Sequence, residues 1–208
     1  MKRNLVLAAL AATLLIPLSA EAKDWPIAKD VTDSVVYIEH KGGSCSGIVI
    51  DSSRNHILTA AHCDLKDKDD ILYADQHPAK VVWKDVKSDL MVLKVEDMQK
   101  PALQLSSKNP EPGLEVASIG YGYGWEKPMF RVAHVSISNS YVGEGLTGEF
   151  VILDIPFVSG QSGGPVVDAD GRLVSIVQAS NNLVAIGRGA EEIRRKVGKY
   201  FTIPGAAK

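Results

Sequence analysis

Gly160-Gln161-Ser162-Gly163-Gly164-Pro165 is the most informative segment of this 208-residue sequence. Glycine adopts φ angles that other residues avoid and leaves the backbone open to close approach by a ligand. Backbone amides exposed in this way can form an oxyanion hole, which stabilises the negative charge of an acyl-transfer intermediate. Ser162 is therefore a candidate nucleophile, and a glycine-rich turn without chemistry is the alternative.

A serine hydroxyl is a weak nucleophile and needs a neighbouring base. Histidines occur at positions 40, 56, 62, 77 and 134. His62 ends the run Leu58-Thr59-Ala60-Ala61-His62, where an apolar strand enters a turn whose small residues leave room for an imidazole to face a cleft. A lone histidine at a strand end is more often structural, but the adjacent Cys63 and the downstream serine favour His62 as the base.

The base in turn needs a carboxylate that fixes its tautomer and stabilises the imidazolium ion. Asp89 opens the apolar run Leu90–Val95 and is expected at the edge of the interior. Asp85 is the alternative, although its neighbours Lys84 and Lys87 indicate a solvated turn.

Short β-rich runs separated by turn residues fill most of the chain. Segments 90–95 and 131–138 alternate apolar and polar residues, as half-buried strands do. About eleven such runs predict an all-β barrel or sandwich. A Pro- and Ser-containing linker at about 101–113 separates two β-halves, at about 31–100 and 114–189. Helical spacing of apolar residues, opened by acidic and followed by basic residues, predicts a C-terminal helix at about 190–201.

Three segments resemble the catalytic motifs of trypsin-like (chymotrypsin-fold, S1-type) serine proteases. They are Thr59–Cys63, Asp89–Leu93 and Gly160–Pro165, and their order along the chain is that of the family. The spacings of 27 and 73 residues between His62, Asp89 and Ser162, and the Gly-rich run Ala117–Gly124, are more similar to bacterial HtrA/Deg protease domains. The resemblance covers most of residues 30–200.

This resemblance implies a chymotrypsin-like fold of two β-barrels with the site in the cleft between them, and residues 23–208 as one peptidase domain. His62 would be the general base and acid, Asp89 the carboxylate that orients it, and Ser162 the nucleophile. The backbone N–H groups of Gly160 and Ser162 would form the oxyanion hole. The implied activity is serine endopeptidase cleavage of protein or peptide substrates through an acyl-enzyme, without metal or cofactor. A catalytically silent binding protein of the same fold is the alternative.

The resemblance also indicates which residues would bind substrate. Phe157 and Val158 precede the Ser162 loop and are expected to line the pocket for the residue before the scissile bond. The run Val177-Gln178-Ala179-Ser180 matches the strand that pairs with the substrate backbone. Because no Asp occupies the trypsin-like pocket position, which falls near Pro156, and no His follows Ser162, we expect a small or medium apolar residue in the pocket rather than Lys, Arg or Glu.

At two points the sequence departs from the resembled family, and these departures bear on activation and on additional domains. Gln161 stands where trypsin has an aspartate that pairs with the freed N-terminus, so activation by that ion pair is not expected. The chain ends soon after the protease region, so neither a PDZ domain nor an HtrA-like oligomeric chaperone role is expected.

Residues 1–22 have the three-part pattern of a secretory signal peptide. Lys2 and Arg3 precede the uncharged run Leu5–Leu18, and Ala20-x-Ala22 supplies a small-residue cleavage site. The run is too short to span a bilayer, so export to the periplasm or beyond without stable membrane insertion is predicted. An uncleaved anchor is the alternative.

Export makes the two cysteines of the chain informative. Cys45 and Cys63 form an even pair and are a candidate disulfide, with two buried free thiols as the alternative. In the animal enzymes of the resembled family, a disulfide at the matching positions ties down the histidine loop.

Several other classes are disfavoured. A net charge of −2 provides no basic footprint for nucleic acid. An α/β-hydrolase would need a histidine after Ser162, and none follows. The acidic run of residues 64–70 lacks EF-hand spacing, and Gly120-x-Gly122-x-Gly124 lacks the spacing of a dinucleotide fingerprint.

Overall fold

Antiparallel strands form two closed barrels in the computed structural model, which describes residues 25, 28–64, 71–140 and 148–202. The predicted signal peptide lies outside the described residues. The strands of the first barrel close in the order β1-β2-β3-β6-β5-β4. Their bounds are Val35–His40 (β1), Gly43–Asp51 (β2), His56–Thr59 (β3), Leu72–Ala74 (β4), His77–Asp85 (β5) and Leu90–Val95 (β6).

The second barrel repeats this architecture with the next six strands, in the order β10-β11-β12-β9-β8-β7. Their bounds are Glu115–Gly120 (β7), Met129–Ser140 (β8), Phe150–Leu153 (β9), Pro165–Val167 (β10), Leu173–Ser180 (β11) and Ala185–Gly189 (β12). Helix α1 (Ala28–Ser34) precedes the first barrel, and helix α2 (Ala190–Val197) follows the second. The predicted all-β, two-barrel fold with a C-terminal helix is confirmed.

Strand β2 shows why the barrels stay together. Val49 points into the first barrel, whereas Ile48 and Ile50 join the apolar cluster between the barrels, where Ile119 and Ile176 of the second barrel also lie. Period-two alternation gives each strand two faces, and here both faces are apolar because both are covered. The cleft between the barrels is thus set by packed side chains on each side.

The segment between the barrels is hydrogen-bonded to both of them. Leu103 N–H donates to the Val49 carbonyl of the first barrel at 3.0 Å. Ser106 N–H donates to Leu173 of the second barrel at 2.9 Å, and Leu173 N–H donates back to Gln104 at 2.8 Å. These bonds fix the two barrels to one another through the connecting chain.

Helix α2 begins with acidic residues and ends with basic ones, as the helix dipole favours. Its Glu192 forms a buried ion pair with Arg188 of β12, with Nη1 and Oε2 3.1 Å apart. Burial lowers the pKa of Arg188 from its ordinary value, and the Glu192 carboxylate opposes that effect. The Arg188 guanidinium also lies 4.0 Å from the centre of the Phe150 ring. No helix in the described ranges has the length and apolar character needed to cross a bilayer.

Some local predictions differ from the structure. The sequence interpretation missed α1 and β4, which are only 7 and 3 residues long and carry little periodic signal. The last strand, β12, begins only at Ala185. The reason is a turn in which Asn181 Oδ1 accepts the N–H groups of Leu183 and Val184, both at 2.8 Å.

Candidate active site

His62 and Asp89 are joined by two hydrogen bonds at the mouth of the first barrel. The His62 ring Nδ1 lies 2.8 Å from Asp89 Oδ2, and the His62 backbone N–H donates to Asp89 Oδ1 at 2.8 Å. The Asp89 side chain is 11% exposed and the His62 side chain 47%. The carboxylate therefore holds Nδ1–H from the buried side, which leaves Nε2 as the proton acceptor on the open side.

Local turns explain how the two side chains meet. His62 sits in a short 3-10 turn, Ala61–Cys63, that follows β3. Asp89 precedes β6, the neighbour of β3, in a turn closed by its N–H donating to the Val86 carbonyl at 3.3 Å. Asp89 adopts φ +52°, a left-handed conformation that non-glycine residues rarely hold without support.

Gln178 of the second barrel supplies part of that support. Its Nε2 donates to the carbonyls of Ser88 and Asp89 at 2.8 and 2.7 Å, and the residue is 4% exposed. The sequence grouped Gln178 with the substrate-binding strand. In the structure its side chain reaches across to the Asp89 turn, so we infer that Gln178 is a positioning residue for Asp89.

Replacing Gln178 by methionine tests this role, because methionine keeps a similar size but cannot donate. We expect kcat to fall by about 10- to 100-fold through misplacement of the carboxylate. The loss should be equal for peptides that differ only in the residue before the scissile bond, measured with a matched peptide series. A loss confined to some of those peptides would instead show that Gln178 acts on the substrate through the cavity beside Ser162.

The rival carboxylate, Asp85, has a different role from the predicted solvated turn. Its Oδ2 lies 2.8 Å from Lys196 Nζ of α2 and accepts from Ser88 Oγ at 2.9 Å. The hydrogen bond from Lys196 lowers the pKa of Asp85, against the opposing effect of burial. Asp85 thus ties the C-terminal helix to the turn that leads to Asp89, and it makes no hydrogen bond to His62.

The Ser162 loop belongs to the second barrel but is held by the first. Ser46 of β2 is fully buried, and its N–H donates to the Ser162 carbonyl at 2.8 Å. Its hydroxyl donates to the Gly160 carbonyl and accepts from Tyr121 N–H, both at 2.8 Å. One residue therefore connects three points of the second barrel, two through its hydroxyl and one through its backbone N–H. No sequence signal singled out Ser46, because its partners are more than 70 residues away.

Gly163 is where the loop touches the first barrel most closely. Its φ is +80°, and a Cβ at this position would overlap Thr59 Oγ1 and the Ser46 carbonyl oxygen. The Ala60 nitrogen would be only 2.8 Å away. Thr59 and Ala60 lead directly into the His62 turn, so this contact brings the serine loop beside the histidine.

The hydrogen bonds of the Ser162 loop leave two of its backbone N–H groups without an acceptor among the described residues. The N–H groups of Gln161, Gly163 and Gly164 donate to carbonyls within 3.2 Å, whereas those of Gly160 and Ser162 have no acceptor among the described residues. The Ser162 hydroxyl likewise has no hydrogen-bond partner in the described part of the chain, including His62. In proteases without substrate the contact between nucleophile and base is often long.

The Gln161 side chain forms a hydrogen bond within the Ser162 loop. It is fully buried, and its Oε1 accepts the Val158 N–H at 3.0 Å. The residue before Ser162 thus braces the loop locally.

Cys45 and Cys63 form a disulfide with their Cα atoms 6.1 Å apart, which confirms the predicted bond. Cys63 Sγ lies 4.0 Å from the Ser162 carbonyl oxygen. The two sulfurs and a ring nitrogen of His62 lie within 4.8 Å of one another, and among the described residues this is the grouping nearest to a metal-ligand set. Because both sulfurs are in the disulfide, neither is a thiolate that could bind a metal ion.

A cavity of about 320 Å³ opens beside Ser162. The predicted substrate-binding residues Phe157, Val158 and Val177–Ser180 line it together with Ser159 and Ser162. Its walls are mostly apolar or small, and none of these lining residues carries a charge. The structure thus brings the predicted pocket and the proposed nucleophile together.

Comparison with known proteins agrees with this geometry. A family model described as "Trypsin-like peptidase domain" matches residues 45–176, a range that contains His62, Asp89 and Ser162. A "Probable periplasmic serine endoprotease DegP-like" of Pseudomonas fluorescens (strain Pf-5) is 32% identical over 136 residues, and the match covers 63% of this chain and 28% of that protein. A protein of the same description from Halomonas elongata is 31% identical over 136 residues, with the same coverage. The chain thus spans 28% of the length of these relatives.

Solved structures show the same fold. The active form of the Rv3671c protease from M. tuberculosis superposes with a TM-score of 0.76 at 22% identity, and the match covers 96% of each chain. A serine endoprotease from Yersinia pestis has a TM-score of 0.71 at 20% identity, covering 86% of this chain and 67% of its own. The family model matches more than half of the chain, and the protein therefore belongs to the trypsin-like peptidase domain family.

Proposed function

We propose that this protein is a serine endopeptidase whose catalytic residues are His62, Asp89 and Ser162. The observation that carries the proposal is the Asp89 carboxylate, which holds both the backbone N–H and the ring Nδ1 of His62 beside the loop of Ser162. This arrangement leaves the far ring nitrogen free to accept a proton, which is what activation of a serine requires.

In the proposed reaction, Ser162 Oγ attacks the carbonyl carbon of the scissile peptide bond while His62 takes its proton. The N–H groups of Gly160 and Ser162 donate to the oxygen that becomes negative, and their lack of other acceptors supports this role. His62 then gives the proton to the leaving amine, so that the peptide C–N bond breaks and an ester forms on Ser162. Water, deprotonated by His62, hydrolyses that ester and restores the enzyme.

We propose that polypeptides with a small or medium apolar residue before the scissile bond are preferred. The cavity beside Ser162 supports this because its lining carries no charge to pair with Lys, Arg or Glu. Ala179 and Ser180 at the end of β11 offer strand backbone to which an extended peptide could add.

We further propose that the protein acts in the periplasm or outside the cell. The signal-peptide pattern of residues 1–22 supports export, and the two curated relatives are described as periplasmic endoproteases. A disulfide agrees with this setting, since such bonds persist in oxidising compartments.

Labelling by a fluorophosphonate probe tests the proposed activity. We expect the purified protein to form a covalent adduct at Ser162, located by mass spectrometry, and the Ser162→Ala variant to remain unlabelled. Casein hydrolysis should accompany the labelling and should likewise be lost in Ser162→Ala, because both need the Ser162 hydroxyl as nucleophile. A folded protein that is not labelled would contradict the proposal and favour a silent binding protein. A label that persists in Ser162→Ala would contradict the assignment of Ser162 as the nucleophile.

A further inference from the structure

An exposed pair of aromatic side chains stands beside the Ser162 loop and takes no part in the proposed chemistry. Tyr123 and Trp125 follow β7 and are 65% and 55% exposed, with ring centres 6.1 Å apart. Large apolar groups left in water in this way mark interaction sites when they form a contiguous patch at a functional position. The position of the two rings relative to the Ser162 loop therefore decides whether they can contact a substrate.

The segment that carries these rings is bonded to the chain just before the proposed oxyanion hole. Tyr123 N–H donates to the Ser159 carbonyl at 2.7 Å. A Cβ on Gly122 would lie 2.8 Å from Val158 Cγ2, and one on Gly160 would overlap the Tyr121 carbonyl oxygen. The aromatic segment thus packs directly along residues 158–160.

The same loop bounds the substrate cavity, since Val158, Ser159 and Ser162 line it. The cavity is also lined by β11, to which the loop is joined by Gly163 N–H donating to the Val177 carbonyl at 2.7 Å. Ser44 of the first barrel lies against Gly160, since its Oγ would be 3.2 Å from a Cβ on that residue. A peptide whose residue before the scissile bond lies in the cavity along β11 would next meet Gly160, which contacts Ser44 and the segment that carries Tyr123 and Trp125.

The backbone holds Tyr123 in an unfavourable conformation. Its φ is +53°, which is rare for a bulky residue, and the next residue, Gly124, has φ +71°. Non-glycine residues in this region cluster at ligand clamps, where the surrounding structure maintains them. Here the conformation keeps the phenol ring on the surface, and the exposed ring gains little from burial in return.

We propose that Tyr123 and Trp125 form a subsite for an aromatic or large aliphatic side chain of the substrate, one or two residues after the scissile bond. The inference rests on the proposed peptidase activity and adds a second specificity element to it. Two aromatic faces offer stacking and apolar contact without a charged group, so acidic and small polar side chains at these positions gain nothing from them.

A peptide library tests the subsite. It would fix the residues before the scissile bond and vary the two that follow, and kcat/KM would be measured for each peptide. We expect wild-type protein to favour Phe, Tyr, Trp or Leu over Ser or Asp at one of these positions by about 10-fold. The double variant Tyr123→Gly and Trp125→Ser should lose this preference, and glycine accepts the φ of position 123 without strain.

Ile137→Ser is the matched control, because Ile137 on β8 is also an exposed apolar residue, at 46%. It should retain the preference. Fluorophosphonate labelling of all three proteins reports on the catalytic residues separately, and equal labelling rates are expected. Labelled wild-type protein without the preference, or a preference that survives in the double variant, would overturn the subsite alone. Absence of labelling in wild-type protein would overturn the peptidase proposal and the subsite with it.

Discussion

Replacing Asp89 by asparagine is expected to lower kcat by about 10⁴-fold while the fold remains intact. The asparagine oxygen can still accept the His62 backbone N–H, as Asp89 Oδ1 does at 2.8 Å. Its NH2 group would then face His62 Nδ1, where the carboxylate oxygen now lies. Two donors cannot bond, so Nδ1 would give up its proton to Nε2, and His62 could no longer accept a proton from Ser162.

Asp85→Asn is the matched control, because Asp85 lies four residues away and forms an ion pair with Lys196 outside the site. We expect this variant to keep most of the activity and to lose some stability. Steady-state hydrolysis of one peptide, with circular dichroism to verify folding, distinguishes the two carboxylates. If Asp85→Asn lost as much activity as Asp89→Asn, the assignment of the orienting carboxylate would be wrong.

Gly163→Ala is expected to abolish hydrolysis and to lower the free energy of unfolding by about 2–5 kcal/mol. The methyl group would overlap Thr59 Oγ1 and the Ser46 carbonyl oxygen, and alanine is disfavoured at φ +80°. Relief of the overlap would move the Ser162 loop away from the first barrel, and with it the nucleophile away from its base. Urea unfolding and fluorophosphonate labelling measure the two effects separately.

The chain offers a close control for the backbone strain. Gly113 has φ +84°, nearly that of Gly163, but a Cβ there would meet nothing within 4 Å. Gly113→Ala should therefore show only the left-handed penalty of about 1–2 kcal/mol and should be labelled normally. Equal stability losses in the two variants would show that the contact between the barrels has no energetic weight.

The sequence predicted those features of the fold that depend on local pattern. Short β-rich runs between turn residues located most strands, and helical spacing with charge order located the C-terminal helix near residue 190. The cysteine pair was identified because the predicted export would favour a disulfide over free thiols. The strand pattern alone did not distinguish a barrel from a sandwich. Three motifs in a fixed order, which resemble those of a known family, then indicated a two-barrel architecture.

Contacts between the barrels could not be predicted in this way. Ser46 and Gln178 have no motif around them, and their partners lie about 75 to 116 residues away along the chain. The ion pair of Asp85 was missed for the same reason, because Lys196 approaches from a distant helix. Exposure of Tyr123 and Trp125 likewise follows from how the two halves pack, which neighbouring residues do not encode.

The bonds from Ser46 to Gly160 and Ser162 have a consequence for newly made copies of the protein. They join halves that are each closed on themselves, so neither half alone can hold the reactive loop in place. The proposed peptidase activity should therefore appear only at the last stage of folding, when the two barrels have docked. Copies whose halves have not yet docked would then be unable to cleave one another.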